Sequence, residues 1–241
     1  MSAMGYEIDG AFAEYVRIPA FGIRSGNVFA VPKGLNFEEA ALAEPLACVM
    51  NGQERVALKM GDSAAILGAG PIGILHIKLA RLSGARTIIV SEPNPLRREA
   101  ALKAGADLAI DPKAEHLLDR VKSATGGLGV DVAIVAIGVP SLANDAIRLV
   151  SHRGRVSLFA GFSKGVQAEL DVNAIHYNEL VITGSFGLTR VLFERALSMI
   201  GSGQLEMKSL LTHRFGLSDI KIALETAEQG SAIKVAVLND G

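Results

Sequence analysis

Gly68-Ala69-Gly70-Pro71-Ile72-Gly73 spaces three glycines as G-x-G-x-x-G, a pattern suited to cradling a diphosphate. Gly68 would permit the tight turn. Gly70 would remove a side chain where a pyrophosphate must approach the backbone, and Gly73 would let a helix pack closely on a strand. A helix opening at Pro71 and Ile72 would aim free N–H groups and a partial positive charge at the anion. Pro71 itself gives up an N–H that a first helical turn does not use. With 26 glycines in the chain, such a run can also be a plain turn of an α/β protein without a ligand. Its setting raises the dinucleotide reading. An apolar strand-like run precedes it, a helical run follows, and Glu92 ends the next strand-like run about 20 residues further on.

Glu92 at that position can accept hydrogen bonds from both hydroxyls of an adenosine ribose. A 2′-phosphate there would be repelled by the carboxylate, which favours NAD over NADP. Arg97 and Arg98 argue the other way, since either could pair with a phosphate. Arg97 is expected to lie along the adenine face as a stacked cation, with a solvated helix face as the alternative for both arginines. Ile137, Gly138 and Val139 fall at the end of a fourth strand-like run. Gly161, Phe162, Ser185 and Phe186 fall at the ends of a fifth and sixth, where they could border the nicotinamide half. In a doubly wound sheet the carboxyl ends of the strands line the ligand crevice.

The elements that must position these residues are legible as a beat. Apolar runs at 64–69, 87–92, 108–111, 130–138, 155–161 and 181–186 alternate with helix-length stretches. The runs are continuous rather than alternating, as in strands covered by helices on both faces. They predict a doubly wound, parallel six-stranded sheet of order 3-2-1-4-5-6. Helices are expected at 71–83, closing at Gly84, from Pro95 behind an Asn94 cap to Gly105, and at 140–150. Residues 168–172 read as an extended piece and 174–178 as a helical turn. The flanks differ. GAFAEYVRIP (10–19) and NVFAVPKG (27–34) read as β segments, and 36–56 as a helix broken at Pro45. Helices at 190–200 and 218–228 and a strand at 234–238 close the chain.

The 241 residues suit one large or two modest domains, and 49% hydrophobic against 20% charged residues supports a large core. A net charge of −1 gives no global attraction for nucleic acid or an anionic membrane. The single cysteine, Cys48, excludes an internal disulfide framework and any multi-cysteine metal site within the chain. No signal or transmembrane segment is expected, so the cytoplasm is the expected compartment.

The runs GAFAEYVRIP, VFAVPKGLNFEEAALAEPLAC, AAILGAGPIGILHIKLARLSGA, IHYNELVITGSFG and LLTHRFGLSDIKIALETAEQG together resemble the zinc-type medium-chain dehydrogenase/reductase family. Within it they are similar to the polyol and threonine dehydrogenase branch. The resemblance implies a Rossmann NAD-binding domain at 51–187, flanked by parts of a GroES-like β domain at 1–50 and 188–241. It implies hydride transfer between a secondary alcohol, such as a polyol, and NAD, with a catalytic zinc polarising the alcohol oxygen. It also implies a homodimer or tetramer. Glu44, in Ala43-Glu44-Pro45-Leu46, matches the position where polyol dehydrogenases place a glutamate beside that zinc; the alternative is a helix N-terminal carboxylate. The family's other zinc ligands precede the GAFAEYV-like segment, and here only nine residues precede Gly10. The chain is therefore expected to be N-terminally truncated, with zinc absent or partial. The five histidines show no metal-ligand spacing and are expected to be structural. Two further readings stay open: an inactive NAD-binding or oligomerising protein, and a zinc-free reductase of the quinone oxidoreductase type. Glu92 and the Glu44-Pro45-Leu46 segment speak against the second.

Overall fold

In a computed structural model of the chain, residues 4–239 are described. Along the chain they form α1 (Ala20–Arg24), α2 (Phe37–Ala40), α3 (Ala43–Arg55), β1 (Ser63–Leu67), α4 (Pro71–Leu82), β2 (Thr87–Ser91) and α5 (Pro95–Lys103). There follow β3 (Leu108–Ile110), α6 (Leu117–Ala124), β4 (Val130–Val135), α7 (Ser141–Leu149), β5 (Val150–Leu158), α8 (Val172–Tyr177) and β6 (Val181–Gly184). Last come α9 (Arg190–Gly201), β7 (Leu211–Gly216), α10 (Ile220–Glu228) and β8 (Lys234–Leu238). They divide into two compact units, Glu44–Ala196 and the combination of Met1–Ala43 with Leu197–Gly241. Among the described residues no helix is long and apolar enough to cross a membrane.

The Glu44–Ala196 unit is built on a six-stranded sheet of order β3-β2-β1-β4-β5-β6, every pair parallel. All five residues of β1 are buried, because helices cover both faces. On one face Ala133, Val135, Val156 and Ile110 pack with Val121 of α6 and Ala146, Ile147 and Leu149 of α7. On the other, Val132 and Ile134 pack with Val56, which follows α3, and with Phe159. The helix punctuation follows the sequence. Asn94 Oδ1 accepts from the N–H of Leu96 and Arg97 at 2.9 and 3.3 Å, with Pro95 as the first helical residue. β5 starts earlier than the run at 155–161 indicates. Val150 already pairs with Val130, and the register then shifts before Arg155 meets Val132. The helical turn at 174–178 begins instead at Val172, because Asp171 caps it by accepting from Ala174 N–H at 2.9 Å.

In the other unit β7 and β8 run parallel, joined through α10. The sequence showed β8; β7 escaped it, since LTHRFG interrupts its apolar residues with Thr212, His213 and Arg214. Two expectations need correction. The β segments expected at 10–19 and 27–34 are not strands: both stretches are irregular, with α1 between them. A strand needs a ladder partner and a buried face to fix its register. Here Phe12 and Tyr15 are 67% and 90% exposed. The helical break expected at Pro45 falls instead at residues 41–42. Pro45 lies in the first turn of α3, where the missing N–H has no helical acceptor to lose.

Candidate dinucleotide site

The end of β1 is held from both sides: Gly68 N–H donates to Ser91 O at 2.8 Å, and Ala136 N–H to Leu67 O at 2.9 Å. The chain then turns at Gly68 with φ +101°, a conformation that L side chains rarely adopt. The Ile137 side chain lies against this turn, 3.1 Å from where a Cβ on Gly68 would sit. Gly73 packs so closely that a Cβ would come 2.0 Å from Gly68 O. Gly70 is different: it caps α4 with φ −67°, and a Cβ there would meet nothing within 4 Å. The space above Gly70 is thus open, while the space behind Gly73 is closed. Pro71 is the first residue of α4, and the first helical bond runs from Ile74 N–H to Gly70 O at 2.9 Å. The N–H groups of Ile72 and Gly73 precede it, at the positive end of the helix dipole.

Glu92 follows β2 and is 4% exposed. Its Oε2 accepts from Ala69 N–H at 2.8 Å and its Oε1 from Asn94 N–H at 2.9 Å. The carboxylate therefore closes the glycine loop from the β2 side, and each oxygen keeps a lone pair for a further donor. Arg98 does not face a phosphate as a free cation. It pairs with Asp111 at 3.1 Å and donates to Glu92 O at 2.9 Å, tying the ends of β2 and β3 together. Arg97 is not so committed, and its Nε is buried with no partner. The motif had not pointed to Ala69, Asn94 or Asp111. The signal for Asn94 was its place two residues past the acidic residue, where its backbone can turn back.

At the ends of β4 and β5, a Cβ on Gly138 would meet Gly161 O at 2.5 Å, so these loops touch backbone to backbone. Ile137 and Val139 stay 44% and 40% exposed beside them, an apolar rim to the crevice. Gly161 has open space where a Cβ would be. After β6, Ser185 buries its hydroxyl without a partner and Phe186 is 91% exposed. The fold thus gathers the glycine loop, Glu92, Arg97, Ile137, Gly138, Val139 and Gly161 at the carboxyl ends of neighbouring strands. That is where strand order reverses and where open α/β sheets bind ligands.

Glu44 lies exposed in the first turn of α3, where its charge complements the helix dipole. Cys48 Sγ donates to Glu44 Oε1 at 3.3 Å. Burial, and then the neighbouring Glu44 carboxylate, push the Cys48 thiol up to about 12. Among the described residues no three His, Cys, Asp or Glu side chains come together as a metal would require. The donors around Glu44 do not fit a zinc ion. His76 lies within α4 and is fully buried, His116 pairs with Asp119 at 2.9 Å, and His176 stacks edge-on with Tyr177.

A family profile described as zinc-binding dehydrogenase matches residues 71–202. The chain is 34% identical over 232 residues to the sorbitol dehydrogenase of Bacillus subtilis (strain 168), covering 95% of this chain and 64% of that protein. It is 35% identical over 238 residues to the L-threonine 3-dehydrogenase of Pyrococcus abyssi, covering 97% and 66%. Among solved structures, it is similar to a protein assigned as a zinc-binding dehydrogenase from Sinorhizobium meliloti 1021, bound to NADP. The TM-score is 0.90 at 32% identity, covering 98% of this chain and 68% of that one. The chain thus spans 64% and 66% of the lengths of the two relatives named first.

Proposed function

The chain belongs to the zinc-binding dehydrogenase family, and from that premise we propose that its Glu44–Ala196 unit binds NAD in the crevice above Gly70. The observation that carries this reading is the glycine loop closed onto a buried carboxylate: Gly70 open to space, Ala69 bonded to Glu92, and the α4 N-terminus behind them. The diphosphate would sit against the N–H groups of Ile72 and Gly73. Glu92 would accept from the ribose hydroxyls through its remaining lone pairs, and Arg97 would lie along the adenine. Ile137 and Val139 would form the apolar wall. Gly161, Ser185 and Phe186 would border the nicotinamide half. The Sinorhizobium meliloti protein was solved with NADP. Here the Glu92 charge supports NAD instead, because two backbone donors hold it in place and it would face a 2′-phosphate at close range.

The family activity carried over is hydride transfer between nicotinamide and a secondary alcohol, a polyol or related small molecule. When bound, the nicotinamide supplies the hydride acceptor. The residues named above bind and orient it and shield its apolar side from water. A second reading is favoured by the donor set around Glu44: the chain by itself binds the dinucleotide and turns over no alcohol. Calorimetric titration tests the first reading. NAD is expected to bind at least about tenfold more tightly than NADP; equal affinities, or no binding of either, overturn it. NADH absorbance over a polyol panel separates the second reading, which expects no rate above background.

A further inference from the structure

Among the described residues, Gln53 Oε1, His76 Nε2, Ser157 Oγ and Ser185 Oγ are buried side-chain polar atoms without a hydrogen-bond partner. Their neighbourhood follows from β5. Ser157 is in register with Ile134, whose side chain packs on the α3 side of the sheet, and Phe159 stands two residues further on. Both Ser157 and Phe159 therefore project to that face. The Phe159 ring meets the His76 imidazole edge-on, centroids 4.6 Å and planes 89° apart. It also presses on Gly52 of α3, where a Cβ would come within 2.6 Å of the ring; the same Cβ would lie 3.3 Å from Ser185 Oγ. Gln53, the next residue of α3, donates through Nε2 to the His76 carbonyl at 2.8 Å and sits 3.3 Å from His76 Nδ1.

This geometry sets the tautomer. With the Gln53 amide N–H facing Nδ1, that nitrogen accepts, and the neutral ring carries its proton on Nε2, the atom with no partner. The four atoms form a complementary set: one N–H donor, one amide oxygen, and two hydroxyls able to do either. Left bare, each would carry its full desolvation cost. A buried water takes about two to four such partners.

We propose that this seam holds ordered water bridging His76 Nε2 and Gln53 Oε1 to the hydroxyls of Ser157 and Ser185. The bridge ties the ends of β5 and β6 to α4, the helix that carries the glycine loop. Its consequence for the cofactor rests on the dinucleotide reading above. Ser185 would be held at a fixed height for the nicotinamide half, while the loop and Glu92 hold the ADP half independently.

A double-mutant cycle in urea tests the seam. A bridging water makes His76→Leu and Ser157→Ala each lower the unfolding midpoint, and the double variant falls no further than the worse single, because the first substitution already breaks the bridge. Shifts that add, or singles that unfold at or above the parent midpoint, overturn the proposal. Should His76→Leu not fold, Gln53→Leu takes its place in the cycle. The link to β6 has its own readout. Ser157→Ala, buried beneath the sheet end, is expected to weaken NAD binding about threefold with ADP-ribose affinity unchanged. Equal effects on both ligands, or none, overturn that link. A chain that binds neither NAD nor ADP-ribose refutes the dinucleotide reading instead, and the urea cycle still decides the seam.

Discussion

Glu92 has two duties that truncating its side chain does not separate. Its carboxylate carries the charge that would repel a 2′-phosphate, and it is also the acceptor that holds Ala69 N–H. Glu92→Ser should therefore erase the preference for NAD over NADP and weaken both, since the glycine loop loses its fixed acceptor. Glu92→Gln, which keeps an acceptor oxygen, should lose selectivity with less loss of affinity. Titrating both dinucleotides against both variants checks this; a serine variant as selective as the parent contradicts it. His76 makes a separate prediction about acid. Burial lowers it from 6.5 to about 3, so between those values the unfolded chain holds a proton that the folded chain does not. Its contribution to stability is complete above pH 6.5 and declines as pH falls toward 3, by about 1.4 kcal/mol per pH unit at the steepest. Urea midpoints from pH 7 to 4 should fall less steeply in His76→Leu than in the parent; parallel slopes would refute the assignment.

At the scale of elements, the β1–α4 turn separates packing from binding. Gly73→Ala puts a Cβ 2.0 Å from Gly68 O, so the turn must open and both stability and dinucleotide binding should fall. Gly70→Ala puts a Cβ into open space at a φ that alanine accepts. It should melt within a few degrees of the parent yet lose about tenfold or more in NAD affinity, because the methyl occupies the diphosphate's approach. Thermal melts beside NAD titrations check the pair, and a Gly70→Ala variant that binds normally would remove the diphosphate from that position. These elements were legible in the sequence because each continuous apolar run between glycine and proline punctuation has one low-energy use, a strand buried on both faces. The parallel sense followed from the handedness of crossovers, and the order 3-2-1-4-5-6 is that of the doubly wound dinucleotide fold to which the glycine motif points. The flank at 10–34 was not legible. Its aromatic and β-branched residues suit a strand, but strand formation depends on a partner elsewhere, which local composition does not encode. The buried polar atoms of Gln53, His76, Ser157 and Ser185 were equally hidden, since these residues stand on α3, α4, β5 and the segment after β6 and share no spacing. Glu92 was found by its distance from the glycines, but its bond to Ala69 depends on a side-chain direction that spacing leaves free.

For the whole molecule, β6 is an edge strand, with Val181 52% exposed and the flanking Val172 and Tyr177 70% and 75% exposed. Residues 166–171 form no helix or strand of their own. Such edges pair with copies of themselves about a two-fold axis. Light scattering at micromolar concentration should give a dimer or tetramer, and Val181→Lys should shift it toward monomer; a monomeric parent would contradict the assignment of β6. Elemental analysis belongs at the same scale. With no three His, Cys, Asp or Glu side chains brought together among the described residues, the purified chain should retain less than one equivalent of zinc. A stoichiometric amount would mean that ligands arise from histidines placed here in structural roles.

The central position of β1 also governs how the chain reaches its fold. One neighbour, β2, follows within a single helix, but the other, β4, is made only after β2, β3 and three helices have emerged. Until then β1 has an open apolar flank, and the glycine turn lacks the wall that Ile137 provides. During synthesis the nascent chain therefore passes through a long interval in which its future cofactor crevice is half a sheet with an unpaired edge.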